Sequence, residues 1–137
     1  MTRFMITLEQ GVELVWRAFD DMLGGEIYVK KIPSVKVTDL AKVVRPDAKL
    51  VEVGIRPGEK LHEQMIGVED AAFTYEYDDY YKILPQINNW DKDNLRIKNG
   101  KLVGADFSYE SNTNDEWMAA SDLTNWLDAN RAHLGEL

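Results

Sequence analysis

Residues 54–63 read Gly-Ile-Arg-Pro-Gly-Glu-Lys-Leu-His-Glu, and the meaning of the whole chain turns on them. Pro57 fixes its own φ and Gly58 accepts a left-handed one, so Arg56-Pro57-Gly58-Glu59 predicts a tight turn. Upstream, Leu50 to Ile55 alternates and predicts a strand. Downstream, Glu59 to Ile66 predicts a short helix with Leu61, Met65 and Ile66 inward. An arginine held at a strand end by such a turn can grip phosphate oxygens through two parallel bonds. Glu59, near the start of the predicted helix, could orient Arg56 or accept ribose hydroxyls. On spacing alone, an Arg-Glu pair that merely braces a surface turn stays an equal alternative.

The flanking chain predicts a mixed α/β domain with short strands and about four helices. Thr7 and Gln10 form a capping box. Leu8, Val12, Val15, Phe19 and Met22 then follow at helical spacing, and Gly24-Gly25 ends the helix. Glu26 to Val29 predicts a strand and Lys30–Pro33 an irregular connection. Thr38 is the expected cap of a second helix that stops before Pro46. Phe73–Tyr77 and Tyr80–Leu84 around Asp78-Asp79 predict a hairpin. Leu95, Ile97, Leu102 and Val103 suit short strands. Ser121 or Asp122 is the expected cap of a last helix carrying Leu123, Trp126, Leu127 and Leu134. Residues 1–137 show no repeat and no linker, and are read as one domain.

Composition narrows the function. The 137 residues carry 24 acidic and 16 basic side chains, a net charge of −8 that argues against general nucleic-acid binding. Without cysteine there is no disulfide, thiolate metal site or cysteine nucleophile. No apolar run is long enough to span a membrane, and the N-terminal residues lack a signal layout, so a cytoplasmic protein is expected. Charge is nevertheless uneven. Residues 30–60 hold eight basic side chains against four acidic, a balance of +4 beside −12 for the remainder. A local positive window on an acidic chain suits a small anionic ligand better than a polymer, and without the turn motif a set of solvated lysines is the commoner alternative.

Several chemistries are missing. His62 and His133 cannot make a metal site by themselves, and His62 and Glu63 are adjacent, so they do not share a helix face. Asp91, Asp93 and Asn94 begin like a calcium loop, but Arg96 stands where it needs glycine and Leu102 where it needs glutamate. There is no Gly-x-Gly-x-x-Gly to cradle a dinucleotide and no Tyr-x-x-x-Lys pair. No catalytic, cofactor-binding or metal residue is therefore assigned. Tyr75, Tyr77, Tyr80 and Tyr81 fit a sheet face better than a base-stacking platform, and Trp117 fits an anchor to the core.

The segments MTRFMITLEQGVELV, GGEIYVKKIPSVKVTDLAKVV, GIRPGEKLHE, DDYYKILP and FSYESNTNDEWM stand in this order. Together they resemble the C-terminal portion of nucleotide-sugar 4,6-dehydratases of the extended short-chain dehydrogenase/reductase superfamily. The resemblance runs from Met1 to about Leu127 and is strongest to the inverting UDP-N-acetylglucosamine 4,6-dehydratases that begin pseudaminic acid synthesis. It implies a substrate-binding subdomain of a polysaccharide-biosynthesis lyase, with Arg3, Arg56 and Glu59 at positions associated with the UDP moiety. In that family an N-terminal Rossmann portion binds NADP and supplies the catalytic residues, so this chain is expected to be inactive alone. The implied partners are a UDP-sugar and a separately encoded Rossmann half. Removing that half should bare apolar surface, including some of Phe4, Trp16, Phe73 and the tyrosines. A homodimer or larger assembly is then expected, and the alternative function is a self-associating module without ligand.

Overall fold

The computed structural model describes residues 1–134. Among them eight short strands alternate with four α-helices: β1 (Thr2–Phe4), α1 (Leu8–Asp21), β2 (Ile27–Lys30), β3 (Ser34–Lys36), α2 (Val37–Val44), β4 (Gln64–Ile66), β5 (Thr74–Glu76), β6 (Tyr80–Ile83), α3 (Asn94–Ile97), β7 (Lys101–Leu102), β8 (Tyr109–Glu110) and α4 (Ala120–Leu134). The mixed α/β class holds. The chain divides into two compact units.

The first unit gathers Met1–Met5, Pro33–Glu63 and the described residues from Ser111 on. In it β1 lies antiparallel to β3, with Thr2 opposite Lys36 and Arg3 opposite Val35. Helix α2 packs on α4 and on β3. Val35, Ser34, Ser111 and Leu123 are fully buried at its centre. Thr38 does not cap α2. Strand β3 runs straight into the helix, and Val37 N–H already bonds Met1 C=O at 3.2 Å, so Thr38 falls inside the first turn. Nor do Ser121 and Asp122 cap α4; both lie in its first turn, where Asp122 accepts from Ala119 N–H at 3.2 Å. The side chains of His133 and Leu134 lie outside the described residues.

The second unit holds Ile6–Ile32 and Gln64–Glu110. Its main sheet is antiparallel in the order β2-β6-β5-β7, with β4 and β8 paired apart from it. The predicted hairpin forms across Asp78-Asp79, and Tyr77, Tyr80 and Tyr81 are buried. Tyr77 and Tyr80 stack at 4.4 Å and 2°. Tyr109 locks this core: its hydroxyl accepts from Ile32 N–H and donates to Ile32 C=O, both at 2.9 Å. Leu95 and Ile97 lie in α3 and not in a strand, because Asp93 caps that turn through Leu95 N–H.

Helix α1 forms where its capping box predicts, with Gln10 N–H on Thr7 Oγ1 at 3.2 Å and Thr7 N–H on Gln10 Oε1 at 3.0 Å. Its apolar face, however, is not buried. Leu8, Val15, Trp16 and Phe19 are 80%, 53%, 63% and 65% exposed. An apolar recess of about 570 Å³ lies along it between Ile6 and Trp16.

Candidate functional site at the Arg56 turn

The three residues singled out by sequence all belong to the first unit, but they are in different states. The turn forms as predicted: Glu59 N–H bonds Arg56 C=O at 3.0 Å, and Gly58 has φ +82°. A side chain at Gly58 would be strained there. Glu59 reaches back across the turn, but its carboxylate accepts from the Arg56 backbone N–H at 3.2 Å and does not orient the guanidinium. The Arg56 side chain is exposed and has no ion pair among the described residues. The turn therefore displays a guanidinium without an ion-pair partner among those residues, beside a carboxylate that is engaged with the backbone.

Arg3 is occupied. Its guanidinium donates to Thr2 C=O at 2.6 Å, Lys60 C=O at 3.1 Å and Leu61 C=O at 3.3 Å, and lies 3.3 Å from the Glu63 carboxylate. It ties β1 to the segment that follows the turn. Side chains alternate along a strand, so Arg3 and Thr2 face opposite sides of the β1–β3 pair.

The surroundings depart from the sequence reading in two places. Leu50 to Ile55 is not a strand: no partner supplies a ladder, and Gly54, at φ +79°, breaks the extended run. Val51 and Val53 are 69% and 83% exposed. Glu59 to Ile66 is not a helix. Leu61 C=O is taken by Thr2 N–H at 2.9 Å and Glu63 C=O by Ser111 N–H at 2.8 Å, while Gln64–Ile66 becomes β4. Of the three side chains expected inward, only Ile66 is buried.

Behind Arg3, a chain of polar groups closes the corner. Glu63 N–H donates to Ser111 Oγ at 2.9 Å, Ser111 Oγ and Thr2 Oγ1 are 2.7 Å apart, and Thr2 Oγ1 is 2.8 Å from His62 Nδ1. Local sequence carries no signal for these partners, which lie 48 to 109 residues apart.

The second unit uses its charges internally. Lys82, 1% exposed, bonds Asp21 Oδ2 at 2.7 Å; Tyr28 OH donates to the same oxygen at 2.7 Å, and Lys98 pairs with Oδ1. Burial would raise the Asp21 carboxyl, but the bonds from Lys82, Lys98 and Tyr28 outweigh it and hold the group well below the usual range. Burial and the Asp21 charge push the Tyr28 phenol well up. Arg96 pairs with the buried Glu26, bonds Gly24 C=O at 2.7 Å and covers Trp90 at 4.1 Å. Among the described residues no group of histidines and carboxylates could hold a metal, and no helix is long and apolar enough to cross a membrane.

Residues 1–85 match the model of a family described as polysaccharide biosynthesis protein. The inverting UDP-N-acetylglucosamine 4,6-dehydratase of Campylobacter jejuni subsp. jejuni serotype O:2 is 47% identical over 128 residues, which are 90% of this chain and 38% of that protein. The UDP-glucose 4-epimerase of Rickettsia canadensis is 37% identical over 87 residues, 61% of this chain and 26% of that one. The X-ray structure of Pen from Bacillus thuringiensis matches 96% of this chain and 38% of its own, with TM-score 0.75 and 25% identity. The chain thus spans well under half the length of these relatives.

Proposed function

This chain belongs to the family of polysaccharide biosynthesis proteins, and from that premise we propose that it is the nucleotide-sugar-binding part of a 4,6-dehydratase-type enzyme, without catalysis of its own. The observation that carries the reading is Arg56: a hydrogen-bonded turn presents its guanidinium to solvent with no ion-pair partner among the described residues, inside the basic window. A diphosphate is the ligand such a fork fits. Arg3 contributes by holding the segment after the turn. Glu59 keeps the turn closed. No strand among the described residues passes through a glycine-rich turn into a helix, the donor set a dinucleotide needs. The chain's own residues do not fit NADP, and no step of the proposal runs through it.

Calorimetric titration with UDP-N-acetylglucosamine and with UDP tests the proposal. Weak saturable heat is expected, lost in Arg56→Ala. No heat at millimolar ligand, or unchanged heat in the variant, would overturn it.

A second reading rests on α1. Helix α1 has 14 residues, none of them buried, and leaves a contiguous apolar face open, the kind of surface that a partner commonly covers. We infer that the chain self-associates through it, or is completed there by a separately encoded Rossmann half. Light scattering should show a species larger than 15.7 kDa that Trp16→Asp shifts towards monomer. A monomer at high concentration removes self-association. Co-expression with an NADP-binding half, followed by a dehydratase assay, tests completion.

A further inference from the structure

On the β1–β3 pair, the side away from Arg3 carries a second recess. It has a volume of about 620 Å³, within the usual range of about 300–1,000 Å³ for small-molecule sites. Thr2, Lys36, Asp39, Asn112, Trp117 and Met118 line it. The register explains the grouping, since Thr2 and Lys36 are directly opposed and share a face.

Trp117 is the platform of this recess. Its backbone is fixed: Ser34 N–H bonds Glu116 C=O at 2.8 Å, and Met118 N–H bonds Ser34 C=O at 3.0 Å. Asn114 Nδ2 adds bonds to Ser34 Oγ and Glu116 C=O, both at 3.0 Å. The indole so held is 39% exposed, and Lys36 Nζ lies 5.9 Å from its ring centre. Among the described residues, Asp39 and Asn112 spend no side-chain hydrogen bond or ion pair, and Lys36 makes only its contact with the ring.

The chemistry of this set is specific. Lys36 and Asp39 cancel in charge, so the recess does not favour a phosphate as the Arg56 turn does. It offers a flat apolar plate, a carboxylate that accepts from two neighbouring hydroxyls, an ammonium that donates to another, and an amide that does both. A pyranose has an apolar C–H face and a rim of hydroxyls that match these groups. We propose that this recess is a binding site for an uncharged sugar ring, separate from the Arg56 turn.

The test uses the full chain and N-acetylglucosamine or glucose as free sugars, followed by NMR of the backbone amides and the indole N–H of Trp117. Saturable shifts at Trp117, Lys36 and Asn112 are expected, with millimolar affinity. Asp39→Asn should weaken binding by about tenfold, Trp117→Ala should abolish it, and Arg56→Ala should leave it unchanged. If Trp117→Ala does not fold, Asp39→Asn and Asn112→Ala still decide the matter. No saturable shift at high-millimolar sugar would overturn the site. So would shifts at these residues with inorganic phosphate but not with sugar. Either failure leaves the Arg56 reading standing, because that reading is tested with UDP.

Discussion

Two regions of the chain use charge in opposite ways. In the second unit Lys82, Arg96, Asp21 and Glu26 are buried or nearly so, and each is matched by a partner. In the first unit Arg56, Lys36 and Asp39 sit at the surface without an ion pair among the described residues. Desolvating an ion is costly unless a partner and hydrogen bonds replace water. A charge paired in the core therefore maintains the fold, and removing its partner destabilises the protein. A charge displayed on a surface turn without an ion-pair partner adds little to stability and remains available to a ligand.

The contrast can be broken by substitution. Arg96→Ala should have the largest effect, about 3–5 kcal/mol in urea unfolding, because Glu26 would remain buried without its cation. A loss below about 1 kcal/mol would show that the pair does not hold the unit together. Acid should act next. Asp21 is depressed in the folded chain, so its contribution is complete above its unfolded value near 4 and is lost as pH falls towards the folded value. The wild-type unfolding midpoint should drop across that range, and Asp21→Asn should flatten this part of the profile while lowering stability at neutral pH. Arg56→Ala should have the smallest effect, within about 0.5 kcal/mol of wild type, since no internal partner is lost. A larger loss would make the turn arginine structural and remove the contrast.

Short-range chemistry was legible in the sequence and long-range pairing was not. The capping box at Thr7, the hairpin at Asp78-Asp79 and the Arg56–Glu59 turn each need partners within a few residues, and each formed. The expected strand at Leu50–Ile55 had the pattern but found no neighbour. The expected helix at Glu59–Ile66 lost its backbone groups to Thr2 and Ser111, whose approach no local pattern encodes. The candidate site divides the same way. Arg56 could be read from its own turn, whereas the engagement of Arg3 with residues 60–63 depends on contacts 57 and more positions away. Trp117 gave the impression of a core anchor because its fixed backbone and exposed ring have the same sequence signature as a buried one.

The corner at Thr2 has one more consequence. The hydroxyls of Ser111 and Thr2 can each both give and take a proton, His62 Nδ1 gives or takes one according to its tautomer, and Glu63 N–H can only give. Two arrangements satisfy every contact. In one, protons point from Ser111 through Thr2 to an unprotonated Nδ1; in the other, a protonated Nδ1 sends them back towards Ser111. The heavy atoms are identical in both. Passing from one to the other takes only two hydroxyl rotations and a change of imidazole tautomer, so the strand that carries Arg3 need not move.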